Sequence, residues 1–77
     1  MFKIYGIENC LFCNKTKQLL DDMNITYDYV LININIKTEF LNNMADKTNN
    51  QRTFPLIFQN DIFIGGYSDI EDYIAFL

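Results

Sequence analysis

The chain has 77 residues, 49% of them apolar and 16% aromatic, which points to one small domain spanning 1–77, near the lower size limit for a self-sufficient core. Six Lys/Arg against ten Asp/Glu leave a net charge of −4 and no basic field, so neither nucleic acid nor an anionic membrane is an expected partner. No run approaches the roughly 18 apolar residues of a membrane span, and the opening MFKIYGIENC lacks the apolar stretch of a signal peptide, so a cytoplasmic location is expected.

In chain order, Phe2-Lys3-Ile4-Tyr5 is a short β-prone run closed by Gly6, and predicts a first strand. From Leu11 onward, Phe12, Leu19, Leu20 and Met23 recur at helical spacing, with polar residues between them, predicting an amphipathic helix that Asn24 ends in the left-handed conformation. Thr26 to Ile32 is rich in β-branched and aromatic residues and predicts a second strand. The segment ININI at 32–36 is ambiguous, its strict alternation favouring a continued strand. Phe40, Leu41 and Met44 mark a short helix over Thr38–Lys47, followed by a polar loop from Thr48 to Arg52. Beyond Pro55, Leu56-Ile57-Phe58 and Ile62-Phe63-Ile64 predict a hairpin turning at Asn60-Asp61. Gly65-Gly66 breaks the second of these strands, and Ser68 with Glu71 reads as a capping box for a last helix whose apolar face is Ile70, Tyr73, Ile74 and Leu77. The order βαβαββα predicts an α/β fold with a four-stranded mixed sheet and three helices.

That order gives the only two cysteines an address. Cys10 lies where the first strand's loop meets its helix, and Cys13 lies one turn inside. Unpaired N–H groups and the positive dipole end there favour an anion, so Cys10 is expected to ionise readily and to be the attacking thiolate. Cys13, on the same side, is close enough to form a disulfide with it, which is the redox reading of C-x-x-C beside a βαβ unit. Structural zinc needs about four Cys or His ligands, and the chain has two cysteines and no histidine, so no metal is expected in the monomer. A pair of inert buried thiols stays open as the bland alternative.

Three motifs on these elements, CLFC at 10–13, RTFP at 52–55 and GGYSD at 65–69, together with the opening MFKIYG, give the whole chain a resemblance to the glutaredoxins of the thioredoxin-fold superfamily. It looks most like the short dithiol glutaredoxins of phages and bacteria. The resemblance implies a thioredoxin-like fold and a cis Phe54–Pro55 bond facing the cysteines. It also implies a glutathione site made by Arg52, Thr53, Phe54, Pro55, Gly66, Tyr67, Ser68 and Asp69. Phe54 would pair its backbone with a cysteinyl segment, and Ser68 and Asp69 would hold the γ-glutamyl end. Without the resemblance, Pro55 is an ordinary strand-start proline, Ser68 a helix cap and Arg52 a solvated charge.

Two departures stand out. Leu11 and Phe12 flank the cysteines where the family usually has proline and tyrosine, and Ile7 stands where many members carry Lys or Arg, with Glu8 beside it. The implied function is a glutathione-dependent thiol–disulfide oxidoreductase: Cys10 attacks disulfides or glutathionyl mixed disulfides and Cys13 resolves them. The implied partners are glutathione and disulfide-bearing or glutathionylated proteins, with ribonucleotide reductase among the acceptors, and the expected state is monomeric. The alternatives are a glutaredoxin-like carrier recharged by thioredoxin reductase, and a carrier of a 2Fe–2S iron–sulfur cluster held between two subunits by Cys10 and glutathione.

Overall fold

A computed structural model describes the whole chain, Met1–Leu77. Strand β1 (Phe2–Gly6) runs through the middle of the sheet and alternates in burial as a pleated strand must, with Phe2, Ile4 and Gly6 buried. Helix α1 (Leu11–Asp22) carries the chain across to β2 (Tyr27–Leu31), which lies parallel to β1 with Ile4 opposite Tyr29. After a single 3-10 turn (Ile34–Ile36), helix α2 (Lys37–Met44) crosses back. Strand β3 (Leu56–Gln59) then pairs antiparallel with β1, and β4 (Ile62–Gly65) antiparallel with β3, before helix α3 (Tyr67–Ala75). The sheet order β2-β1-β3-β4 and the three helices are the mixed α/β arrangement expected from the sequence.

The period of two along β1 and β3 divides the core between the sheet's faces. Phe2, Ile4 and Ile57 pack with Leu20 of α1 and Ile70 of α3 on one face. Leu56 and Phe58 turn the other way, with Tyr5, onto Leu41 of α2. Local chemistry sets the joints. Asn24, at φ 57, ends α1 in a Schellman arrangement, with Ile25 N–H donating to Leu20 C=O (2.9 Å) and Asn24 N–H to Asp21 C=O (3.0 Å). Asn60 and Asp61 have φ of 49° and 67°, the two positive values a tight I′ hairpin requires.

Several details differ from expectation. Strand β2 stops at Leu31, and the ININI alternation is not a strand. The Asn33 side chain accepts from Asn35 N–H at 2.8 Å, and this Asx turn starts a 3-10 turn instead. Helix α2 ends at Met44, three residues short of Lys47. Thr48, expected in a polar loop, is buried, its hydroxyl donating to the Met44 carbonyl at 3.1 Å. In α1 the buried stripe is Cys13, Thr16 and Leu20, whereas Phe12 and Met23 are about half exposed. Thr16 is tolerated there because its hydroxyl donates to Phe12 C=O at 2.7 Å. Leu20→Ala is therefore expected to cost about 2–5 kcal/mol in urea unfolding of the oxidised protein, and Met23→Ala under about 0.5 kcal/mol. Equal costs for the two would mean that the stripe is misassigned.

Candidate active site

Cys10 is the N-cap of α1, with extended backbone (φ −112°, ψ 106°) and its sulfur accepting from Cys13 N–H at 3.1 Å. Cys13 is fully buried and Cys10 half-buried, and the two form a disulfide with Cα atoms 5.2 Å apart. The exposed face of the pair is the Cys10 side. The Cys10 sulfur thus lies at the positive end of the α1 dipole, an environment that favours an anion, and Cys13 is the sheltered partner.

The Phe54–Pro55 peptide is cis, and the Phe54 carbonyl oxygen lies 3.9 Å from Cys10 Sγ. Pro55 is buried, Phe54 half-buried and stacked on Phe40 of α2 with ring centroids 6.2 Å apart. From this point a groove of about 430 Å³ leads away, its floor made by Thr53, Phe54 and Pro55 and its far wall by Gly66, Tyr67, Ser68 and Asp69. Phe12 closes the near end, its ring centroid 5.7 Å from that of Tyr67 and Lys15 Nζ 5.4 Å above its own face. Phe12 thus belongs to the site, while Leu11 stands exposed beside the disulfide.

The far wall is built by a bulge and a helix start. Pairing between β3 and β4 slips by one residue between Ile57 and Phe58, which places Gly65 opposite Ile57 and turns the chain into α3. Gly66, not Ser68, is the N-cap of α3, and the expected Ser68/Glu71 capping box does not form. Asp69 takes the capping role, accepting from Gly66 N–H at 2.9 Å, while Glu71 accepts from the Tyr67 hydroxyl at 3.1 Å. Partial burial, and then that bond to Glu71, push the Tyr67 hydroxyl above its ordinary value, so it stays a neutral donor at physiological pH. Ser68 is left exposed in the first turn, and its side chain serves no cap.

Arg52 does not line the groove. Its guanidinium donates to Asn42 of α2 at 2.9 Å and to Asn50 at 3.2 Å. Gln51 takes a place that sequence reasoning missed: it lines the groove, and its amide nitrogen donates to the carbonyls of Thr53 (3.1 Å) and Pro55 (3.3 Å). One glutamine in a polar loop has no periodicity or motif to single it out. No group of three or more His, Cys, Asp or Glu is placed to hold a metal ion.

A mixed sheet with a C-x-x-C pair at the start of its first helix, facing a cis-proline, defines a thioredoxin-like fold with a paired-cysteine site. The Glutaredoxin family model matches residues 2–64, and the chain belongs to that family, whose members are thiol–disulfide oxidoreductases. It is 36% identical over 69 residues to human mitochondrial glutaredoxin-2, an alignment covering 86% of this chain and only 40% of that protein. The crystal structure of glutaredoxin 1 from Francisella tularensis, complexed with cacodylate, superposes with a TM-score of 0.86 at 29% identity, covering 99% of this chain and 96% of that one. A buckwheat glutaredoxin–glutathione complex shares the fold at a TM-score of 0.75 and 20% identity, covering 96% of this chain and 67% of that one.

The position of Gly65 gives a direct check on the far wall. Its φ is +134°, and an added Cβ would collide with the Asp69 carboxylate, lying 2.6 Å from its Cγ. Gly65→Ala is expected to lower stability by more than about 1 kcal/mol in urea unfolding. A midpoint equal to that of the wild type would contradict the packing of Asp69 over this glycine.

Proposed function

We propose that this protein is a glutathione-dependent dithiol oxidoreductase. The observation that carries the reading is the groove that runs from Phe54, whose carbonyl lies beside the Cys10 sulfur, to the N-terminus of α3, with Asp69 in its wall. Its backbone donors suit a carboxylate, and Asp69 supplies a negative charge for an ammonium, the two groups at the γ-glutamyl end of glutathione. The glutathione-bound buckwheat relative supports the same choice of ligand.

In the reducing direction the Cys10 thiolate attacks one sulfur of a substrate disulfide. A Cys10–substrate disulfide forms, and the other substrate sulfur leaves as a thiolate that takes a proton. Cys13, once deprotonated, attacks Cys10 Sγ, expels the second substrate thiolate and closes the Cys10–Cys13 disulfide. Two electrons have then passed to the substrate. One glutathione thiolate reopens the pair as a mixed disulfide at Cys10, and a second removes the first as glutathione disulfide, restoring both thiols. In the groove, the Phe54 backbone meets the extended cysteinyl segment, Tyr67 and Ser68 offer hydroxyl groups, and Asp69 meets the ammonium. Disulfide-bearing and glutathionylated proteins are the acceptors we assign, with ribonucleotide reductase one candidate, and a reducing cytoplasm is the compartment that suits the cycle.

A second reading, a carrier recharged by thioredoxin reductase, is favoured by one observation. Arg52 is held by Asn42 and Asn50, and Ile7 is apolar, so neither of these two positions offers the glycine carboxylate of glutathione a cation unless Arg52 leaves its partners. Single substitutions separate the readings. Cys10→Ser is expected to abolish turnover, whereas Cys13→Ser keeps removal of glutathione from small mixed disulfides and loses reduction of protein disulfides. Asp69→Asn retains an oxygen to cap Gly66 but loses the charge, and is expected to weaken glutathione-dependent turnover by about tenfold, the lower end for a charge-assisted hydrogen bond. Unchanged glutathione kinetics in Asp69→Asn, with efficient turnover by thioredoxin reductase, would favour the second reading.

A further inference from the structure

A second depression opens beside the Glu8–Asn9 turn that leads to Cys10, outside the groove just assigned. Its volume is about 480 Å³, with Glu8 and Asn9 on one wall and Leu31, Asn33, Ile34 and Asn35 on the other. Topology puts it there. Strands β1 and β2 are parallel, so both chains leave the sheet at the same end, and Ile32 N–H, donating to Gly6 C=O at 2.7 Å, holds the two exits together. One exit is the turn that delivers Cys10, the other the Asn33-initiated turn that leads to α2.

The lining has a consistent chemistry that the core does not use. Leu31 is 53% and Ile34 65% exposed, an aliphatic pair left in solvent. Asn9, Asn33 and Asn35 carry amide donors and acceptors of the kind that pair with peptide backbone. Glu8 is the only charge among the lining residues.

We propose that this crevice receives the polypeptide arm of a protein disulfide substrate, favouring substrates with an aliphatic residue and a basic residue beside the reactive cysteine. The inference rests on the reading of Cys10 as the attacking thiol. Continuity with Cys10 argues for this occupant. Asn9 precedes Cys10, and consecutive Cα atoms are about 3.8 Å apart, so the rim of the crevice lies within reach of the neighbours of a substrate cysteine joined to Cys10. The other side of the disulfide is the groove walled by Tyr67 and Asp69, which the proposed function gives to glutathione. A longer chain has the Glu8–Ile34 side available, and glutathione has no need of it. The crevice therefore distinguishes protein substrates from small ones, and Glu8 disfavours acidic flanks.

The test uses the full chain and three probes: the mixed disulfide of glutathione with mercaptoethanol, a peptide disulfide with Leu and Lys beside its cysteine, and the same peptide with Glu in place of Lys. Ile34 and Glu8 are exposed, so Ile34→Asp and Glu8→Lys are expected to keep the wild-type melting temperature. Ile34→Asp should lower kcat/KM for the Lys peptide by about fivefold or more, an effect of about 1 kcal/mol, with the small mixed disulfide changed by less than about twofold. Glu8→Lys should reverse the preference between the two peptides, an effect that fades with added salt. The ratio is insensitive to any change that Glu8→Lys makes in the thiolate itself. Equal losses on peptide and small substrate, or no loss on either, would overturn the proposal, as would an unchanged peptide ratio in Glu8→Lys. Gel filtration in which the wild type self-associates and Ile34→Asp does not would assign the crevice to a second copy and overturn it as well. A wild type that turns over the small mixed disulfide but shows no preference between peptides overturns the crevice alone. One that turns over no disulfide overturns the dithiol reading with it.

Discussion

The hydrogen bond from Cys13 N–H to the Cys10 sulfur is the contact on which the rest of the site depends. A helix start leaves its first N–H groups without partners, and Ser, Thr, Asp or Asn usually supplies the missing acceptor. Here the acceptor is sulfur, a weak acceptor as a thiol and a strong one as a thiolate. Under the proposed function, capping α1 and ionising Cys10 would therefore be one event, and the residue that donates the bond would also carry the resolving thiol. Leu11, at the first helical position where the family usually has proline, keeps a backbone N–H that proline lacks.

A second constraint couples binding to folding at the other end of the groove. The Asp69 carboxylate already accepts from Gly66 N–H, so one of its oxygens holds the start of α3, and under the proposed function the other meets the ligand. That economy requires a glycine at 65, where a side chain would occupy the carboxylate's place. It also ties ligand recognition to the β4 bulge that brings the glycine pair to the groove. Phe12 and Tyr67, on two different helices, meet across the opening and join the two ends.

The element order was legible because strong local signals agreed with the global fold. The alternation of Phe2 and Ile4, the left-handed Asn24 and the Asn60-Asp61 turn each state their structure in a few residues. What was misread lay where side chains compete with pattern. ININI alternates like a strand, yet the Asn33 amide captures the backbone two residues on. Ser68 and Glu71 have the spacing of a capping box, but Gly66 and Asp69 lie two residues earlier with the same spacing, and the bulge in β4 selects them. Phe12 is as hydrophobic as Leu20, and only the turn of the helix, about 100° per residue, decides that one faces the core and the other the groove. Gln51 and the Arg52 contacts depend on the long return from α2 to β3, whose path leaves no periodic trace.

Titration of the reduced protein by thiolate absorbance, with Cys13→Ser to isolate Cys10, tests the central claim most directly. Stabilisation by the α1 N-terminus places the Cys10 thiol clearly below about 8.5, the value of a free cysteine. A Cys10 thiol that titrates at or above that value would show that the cap does not activate the sulfur, and would contradict the account of the site.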